Sequence, residues 1–278
     1  MRVRRCRPLL GTFVEMAVDA ADEPAAVQAM NEAFDAMATV DALMSFHRKD
    51  SDLSLVNRAP AGTVLALHSW TTEVLALAKE LCEATSGAFD CAVGSRLAAW
   101  GLLPETMIRS SAAGTVDGSV LDVDVLDRGV VRVRRPVCLD LGGIAKGFAV
   151  DKAIESLDGE GLSSALVNAG GDLRIMGSSP WPIHLRRPGT PNQLIYAGSL
   201  SDGALATSAP YFSMPASRDG KNSALLDPRD GRNIVAMSSF TVIAPRCAVA
   251  DGLTKALAVD GTLAIECARQ YQARAFVL

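Results

Sequence analysis

Residues able to hold an anion gather near the middle of the chain, in Asp140-Leu141-Gly142-Gly143-Ile144-Ala145-Lys146-Gly147. The apolar run Val137-Cys138-Leu139 reads as a buried strand ending in Asp140, and a glycine turn and a helix follow. Glycines in such a turn let backbone approach a ligand, and the helix aims its first N–H groups at the same space. Lys146 lies one turn in, able to meet negative charge, while Asp140 accepts hydrogen bonds. This combination is that of a phosphate or nucleotide cradle. It is equally that of an ordinary strand–turn–helix junction, so the segments around it must decide.

Those segments give the following expectations. Residues 9–18 alternate as a strand. Asp22-Glu23-Pro24 starts a helix that runs to about residue 44, with Val27, Met30, Ala33, Phe34, Met37, Val40 and Leu43 on its core face. A polar loop leads to a short helix at 52–57. Ser69 caps a helix over 70–86 that Gly87 stops, and a shorter helix ends near Trp100-Gly101. Residues 121–135 form a hairpin turning at Asp127-Arg128-Gly129. After the strand into Asp140, a helix runs from Ile144 to Asp158-Gly159. Residues 163–177 read strand, turn, strand, with Asn168-Ala169-Gly170-Gly171-Asp172 at the bend. A strand at 182–187 and short apolar runs at 205–208 and 223–228 follow. A strand at 239–244, helices at 248–259 and 262–271 and a last strand at 273–278 complete the chain. Strands come in runs without regular βα alternation, which indicates an α+β fold. Residues 105–120, small and polar, are expected to form a mobile surface loop.

Composition narrows the function classes. The 278 residues are 49% hydrophobic and 21% charged, the values of a soluble globular chain with a well-buried core. A net charge of −4 gives no general affinity for nucleic acid or anionic lipid. No apolar run approaches a membrane span or a signal-peptide core, so a cytoplasmic protein is expected. The six cysteines form no Cys-x-x-Cys pair and most sit in apolar contexts, as reduced core thiols do. Three histidines exclude a His-rich metal centre.

Seven segments stand in an order that resembles the ApbE family of flavin transferases. They are Leu10-Gly11-Thr12; Met44-Ser45-Phe46-His47 with Asp50-Ser51; Gly87-Ala88-Phe89-Asp90; the Asp140–Gly147 turn; Asn168–Asp172; Leu226-Asp227-Pro228-Arg229-Asp230-Gly231; and Ala250-Asp251-Gly252-Leu253-Thr254-Lys255. The likeness runs from about residue 8 to the C-terminus. It implies a T-fold-like α+β architecture with mixed or antiparallel sheets and flanking helices, one domain over 1–278 with two lobes around a nucleotide cleft. It also implies FAD as substrate and Mg²⁺-dependent cleavage of its diphosphate. Members attach FMN to a threonine of an acceptor protein or hydrolyse FAD to FMN and AMP. Carried over by position, Asp251 and the Gly143 carbonyl hold the metal. Leu10, His47, Ala88, Phe89, Asp90, Asp140, Lys146 and Leu225 fall on flavin-nucleotide contacts. Asp251, Lys146 and Thr254 are the catalytic candidates. Asp90 and Asp227 also suit a turn or helix cap, Asp251 a helix N-cap, and His47 a solvated loop.

The sequence departs from the family pattern at four places. Family members carry Asp-x-x-x-Thr; here Lys255 stands four residues after Asp251 and Thr254 three after it. Either Thr254 reaches the metal from the adjacent turn, or the Lys255 ammonium pairs with Asp251 and partly replaces the cation. The His-x-x-Asp-Pro motif reads Ala224-Leu225-Leu226-Asp227-Pro228, without the imidazole that suits a proton acceptor near neutral pH. Thr-Ser-Gly-Asp-Tyr reads Thr207-Ser208-Ala209-Pro210-Tyr211, a stiffer turn. His47 takes the place of an aromatic ring that stacks on the flavin. FMN transfer to threonine leads the readings; FAD pyrophosphatase and a non-catalytic FAD-binding paralogue are the alternatives.

Overall fold

A computed structural model describes residues 1–105, 118–158 and 162–278. Its elements in chain order are β1 (Arg2–Leu9), β2 (Thr12–Asp19), α1 (Glu23–Met44), α2 (Asp52–Arg58), β3 (Thr63–Ala66), α3 (Ser69–Ala84) and α4 (Gly94–Ala99). Next come β4 (Val123–Asp127), β5 (Val130–Val133), α5 (Ala145–Leu157), β6 (Ser164–Ala169), β7 (Asp172–Met176), β8 (Trp181–Arg187), β9 (Thr190–Leu200) and β10 (Gly203–Ser208). The remainder is α6 (Pro210–Ser213), β11 (Leu226–Asp227), β12 (Arg232–Asn233), β13 (Phe240–Ala244), α7 (Cys247–Val259), α8 (Gly261–Gln270) and β14 (Arg274–Val277). Most of the mobile loop expected at 105–120, and the expected helix end at Gly159, lie outside the described residues.

A seven-stranded antiparallel sheet in the order β1-β2-β6-β7-β10-β13-β14 carries the rest. Strand periodicity sorts its side chains to two faces. Val14, Met16 and Val18 of β2 join Val167, Ala206 and Val242 in a core shared with Met30, Phe34 and Met37 of α1, Phe148 of α5 and Leu253 of α7. Ala17, Ile175 and Leu205 point the other way and pack with Trp181, Ile183 and Leu185 of the β8–β9 hairpin. A smaller sheet, β3-β5-β4, packs beside α3. The α+β expectation holds.

Three local expectations are corrected. The single strand over 9–18 is a hairpin: Leu10 (φ 56) and Gly11 (φ 70) form a two-residue turn, and the arginine-rich start is its edge strand β1. Positive φ at both turn residues matches the twist of the flanking strands. Helix α3 is capped by the His68 side chain, which accepts from the Trp70 N–H at 3.1 Å, not by Ser69; Ser86 (φ 48) and Gly87 (φ 76) lie beyond its end. Residues 137–140 form no strand and join no sheet. Asn57 replaces a partner strand there, giving its Nδ2 to the Leu139 carbonyl and taking the Leu139 N–H at Oδ1, both at 2.8 Å. Gly142 and Gly143 do not adopt positive φ. Glycine is useful there because a Cβ at 142 would meet the Asp140 carboxylate at 3.0 Å, and one at 143 the Lys255 stem at 3.4 Å.

Candidate active site

Helices α5 and α7 lie side by side and exchange carboxylates. Asp151 of α5, 1% exposed, accepts from the Cys247 and Ala248 N–H groups at 2.8 and 2.9 Å, capping α7 from outside. In return, Asp251 of α7, 0% exposed, accepts the Gly147 N–H of α5 at 3.1 Å. The N-cap role open to Asp251 from sequence is therefore not the one it has; it is the fifth residue of its helix. The two helices can approach because Gly147 has no side chain: a Cβ there would fall 2.8 Å from Asp251 Cβ.

Strand β7 adds a second pair of charges. Asp172 and Arg174 share one face of the strand. Arg174 Nη1 bonds Asp151 at 2.8 Å, and the Lys146 ammonium bonds Asp172. Lys146 Nζ is also 4.0 Å from Asp251 Oδ2, and the Lys255 ammonium bonds Asp251 Oδ1. The result is an alternating row, Asp172–Lys146–Asp251–Lys255, with both carboxylates buried. Burial alone would lower the Lys146 ammonium, but Asp172 and Asp251 hold it above the ordinary lysine range. Burial, reinforced by the Asp251 charge, pushes the Asp172 carboxyl up while Lys146 pulls it back.

Lys146 and Lys255 of this row line a cleft of about 1290 Å³ together with Asp140, Gly142 and Gly143 among others, and the two carboxylates lie buried behind them. The volume exceeds the roughly 300–1,000 Å³ of a site for a drug-sized ligand and suits a longer one. Asp140 closes one side, its carboxyl raised by burial and steadied by the Gly142 N–H at 3.2 Å. Ala88, Phe89 and Asp90 line the same cleft, as does Leu225. The Asp90 oxygens are already engaged, by Ala92 N–H at 2.8 Å, Val120 N–H at 3.0 Å and Ser119 Oγ at 2.6 Å, so this residue fixes the wall. Asp227 does similar work near the rim: Arg229 Nε and Nη2 grip it at 2.9 and 2.8 Å and hold its carboxyl below the usual carboxylate range.

Four sequence candidates, Leu10, His47, Asp251 and Thr254, lie off the lining. Leu10, in the β1–β2 turn, packs against the core, and Thr12, Phe13 and Glu15 of the same hairpin line the cleft instead. His47 is exposed. Thr254 is wholly buried; its hydroxyl is 2.7 Å from both the Asp251 carbonyl and Ser208 Oγ. Sequence reasoning gave no role to Asp172, although it closes the Asn168–Asp172 segment. It also passed over Tyr211 and Ser239 in the lining of the cleft, whose buried hydroxyls lack a partner among the described residues. His184 of β8 brings an imidazole to that lining, where Ala224 holds the position of the missing one.

The divalent ion implied by the resemblance does not fit these residues. Both Asp251 oxygens already hold donors, Thr254 is bonded within the protein, and an ammonium stands where the family has a hydroxyl. Among the described residues, no cluster of three His, Cys, Asp or Glu side chains is arranged for a metal.

Known proteins resemble this chain in sequence and fold. The "FAD:protein FMN transferase" of Vibrio cholerae is 31% identical over 242 residues, covering 78% of this chain and 69% of its own. That of Haemophilus influenzae is 31% identical over 241 residues, covering 80% and 69%. Among solved structures, the ApbE protein of Thermotoga maritima superposes with a TM-score of 0.84 at 28% identity, over 100% of this chain and 94% of that one. The Pseudomonas stutzeri flavinyl transferase ApbE gives 0.82 at 26%, over 100% and 90%. The model of the ApbE family matches residues 10–277, and the chain belongs to that family.

Proposed function

We propose that this chain is a flavin transferase that takes FMN from FAD and places it on a threonine of an acceptor protein. The observation that carries the reading is the row Asp172–Lys146–Asp251–Lys255, whose two ammonium groups line a cleft with volume enough for a dinucleotide. Two ammonium groups there face the space beside the Gly142-Gly143 turn, where a diphosphate would bring its charge. The threonine oxygen attacks the flavin-side phosphorus, and a new P–O bond forms as the bond to the bridging oxygen breaks. AMP leaves with that electron pair, and the hydroxyl proton is formally carried by the AMP released. In this chain Lys146 steadies the negative charge that moves onto the bridging oxygen, Asp172 and Asp251 hold Lys146 protonated and in place, and Asp90 and Asp140 shape the walls. Thr254 acts indirectly, bonding Ser208 to the α7 backbone behind Asp251.

We read the chain as one domain whose two lobes meet at the cleft, supported by a single apolar cluster that joins α1, α3, α5 and α7. No described helix is long and apolar enough to cross a membrane. None of the six cysteines is in a disulfide and five of them are buried, which supports a reducing, cytoplasmic setting.

The test is incubation of the purified chain with FAD and a threonine-bearing acceptor, followed by mass spectrometry of the acceptor. The expected result is an acceptor heavier by one FMN unit and an equivalent of AMP. AMP without an adduct supports FAD pyrophosphatase instead, and FAD binding without AMP supports the non-catalytic paralogue. The second of these draws on one observation, Ala224 at the imidazole position.

A further inference from the structure

The cation that a diphosphate-cleaving site needs beside its carboxylate is already built into this fold. Lys255 follows Asp251 by one turn of α7, on the same helix face, and the acid-before-base order at this spacing is the favourable one. The Lys255 stem crosses the Gly143 backbone, with Cε 3.4 Å from where a Cβ would project. It therefore fills the gap between Asp251 and the glycine turn. The lysine side chain is 19% exposed, and that exposure faces the cleft. One of its three N–H donors is engaged by Asp251, and the others remain for anion oxygens.

The oxygen donors that a divalent ion would require are committed elsewhere. Thr254 is turned into the protein, bonded to the Asp251 carbonyl and Ser208. Asp251 Oδ2 holds the Gly147 N–H with Lys146 Nζ 4.0 Å away. Magnesium asks for near-octahedral oxygen ligation. Here it would have to displace one ammonium and settle beside another. The row as it stands has two carboxylates and two ammonium groups and is neutral; replacing Lys255 by a neutral side chain leaves it one charge negative and able to attract a cation.

We propose that Lys255 is the resident cation of the diphosphate site, so that FAD binding by this chain does not depend on a divalent metal. The inference rests on the flavin-dinucleotide reading above. It predicts that the chain reverts to metal dependence when Lys255 is exchanged for the residue type the family carries.

The test is calorimetric titration of FAD into the full chain in millimolar Mg²⁺ and in EDTA, for the wild type, Lys255→Thr and Lys255→Met. The methionine keeps the stem over Gly143 without the charge. The wild type is expected to bind FAD with affinities within threefold in the two buffers and to show no heat with Mg²⁺ alone. Lys255→Thr is expected to weaken at least tenfold in EDTA and to recover in Mg²⁺, with a measurable Mg²⁺ uptake of its own. Lys255→Met is expected to weaken in EDTA likewise. A wild type that loses tenfold or more in EDTA overturns the inference and leaves the flavin reading standing; this arm needs no variant to fold. Unchanged affinity of a folded Lys255→Thr in EDTA overturns it too. Absence of FAD uptake by the wild type in either buffer overturns the flavin-dinucleotide reading, and this inference with it.

Discussion

Replacing Gly147 by alanine tests whether the α5–α7 approach builds the site. An added Cβ would sit 2.7 Å from the Cys247 carbonyl carbon and 2.8 Å from Asp251 Cβ, with the Cys247 oxygen closer still. These are backbone atoms and a wholly buried side chain, so no flexible group can swing aside; the helices must part by more than half an ångström. Overpacking of this kind costs about 1–3 kcal/mol. Loosening the charge-assisted bond from Gly147 N–H to Asp251 adds about 1.5 kcal/mol or more. Alanine returns up to about 1 kcal/mol through helix propensity. The net expectation is a loss of about 2–3 kcal/mol, or a melting point lower by about 5–10 °C. FAD affinity should fall with it, because Lys146 and Asp251 lie on the parted faces. Gly261→Ala is the control: nothing lies within 4 Å of its Cβ, at the first residue of α8, and its melting point should be unchanged or slightly raised. Melting curves by circular dichroism and FAD titration decide it. A Gly147→Ala protein that melts at or above the wild-type temperature would refute the close-approach argument.

Three further outcomes are expected. Asn57→Ala removes both partners of the buried Leu139 backbone and should cost about 2–4 kcal/mol, with faster exchange of the Leu139 amide; unchanged exchange would count against the strand-substitute role. Asp151→Asn leaves one α7 N–H facing an amide N–H and the Arg174 guanidinium without its carboxylate. A loss of about 3 kcal/mol in a denaturant melt is expected, and a change below ~1 kcal/mol would contradict the cross-helix cap. Asp227 is held low by Arg229, so its stabilisation is complete above the ordinary aspartate value and is lost as pH falls through the lowered one. Asp227→Asn should therefore lower the melting point by about 2–4 °C at pH 7 and very little at pH 2, because the partly exposed arginine limits the effect to about 1 kcal/mol. Equal losses at both pH values would show that the charge is not the cause.

Sequence and structure divide the protein along a physical line. Helix α1 was legible end to end because Asp22, Pro24 and the Met30–Phe34–Met37 stripe are local signals. Met30, Ala33, Phe34, Met37 and Val40 are buried as read, while Val27 and Leu43 are half-buried and Ala26, Ala29 and Met44 join the core face instead. The hairpin turning at Asp127-Arg128-Gly129 and the α+β class followed from alternation and turn residues in the same way. The edge strand β1 was missed because its arginines break the apolar alternation, and β9 because its partner, not its own composition, makes it a strand. The cradle, the Asn168–Asp172 bend and the Asp251 segment could be named as candidates from residue type and order. Their chemistry depends on contacts between residues 26 and 104 positions apart, Lys146 with Asp172 and Gly147 with Asp251. No local pattern encodes such distances. Sequence left Thr254 and Lys255 as equal partners for Asp251. Only the packing of α7 against α5 and β10 turned the threonine inward to Ser208 and laid the lysine across Gly143 into the cleft, because residues three and four along a helix face different neighbours once the helix is docked.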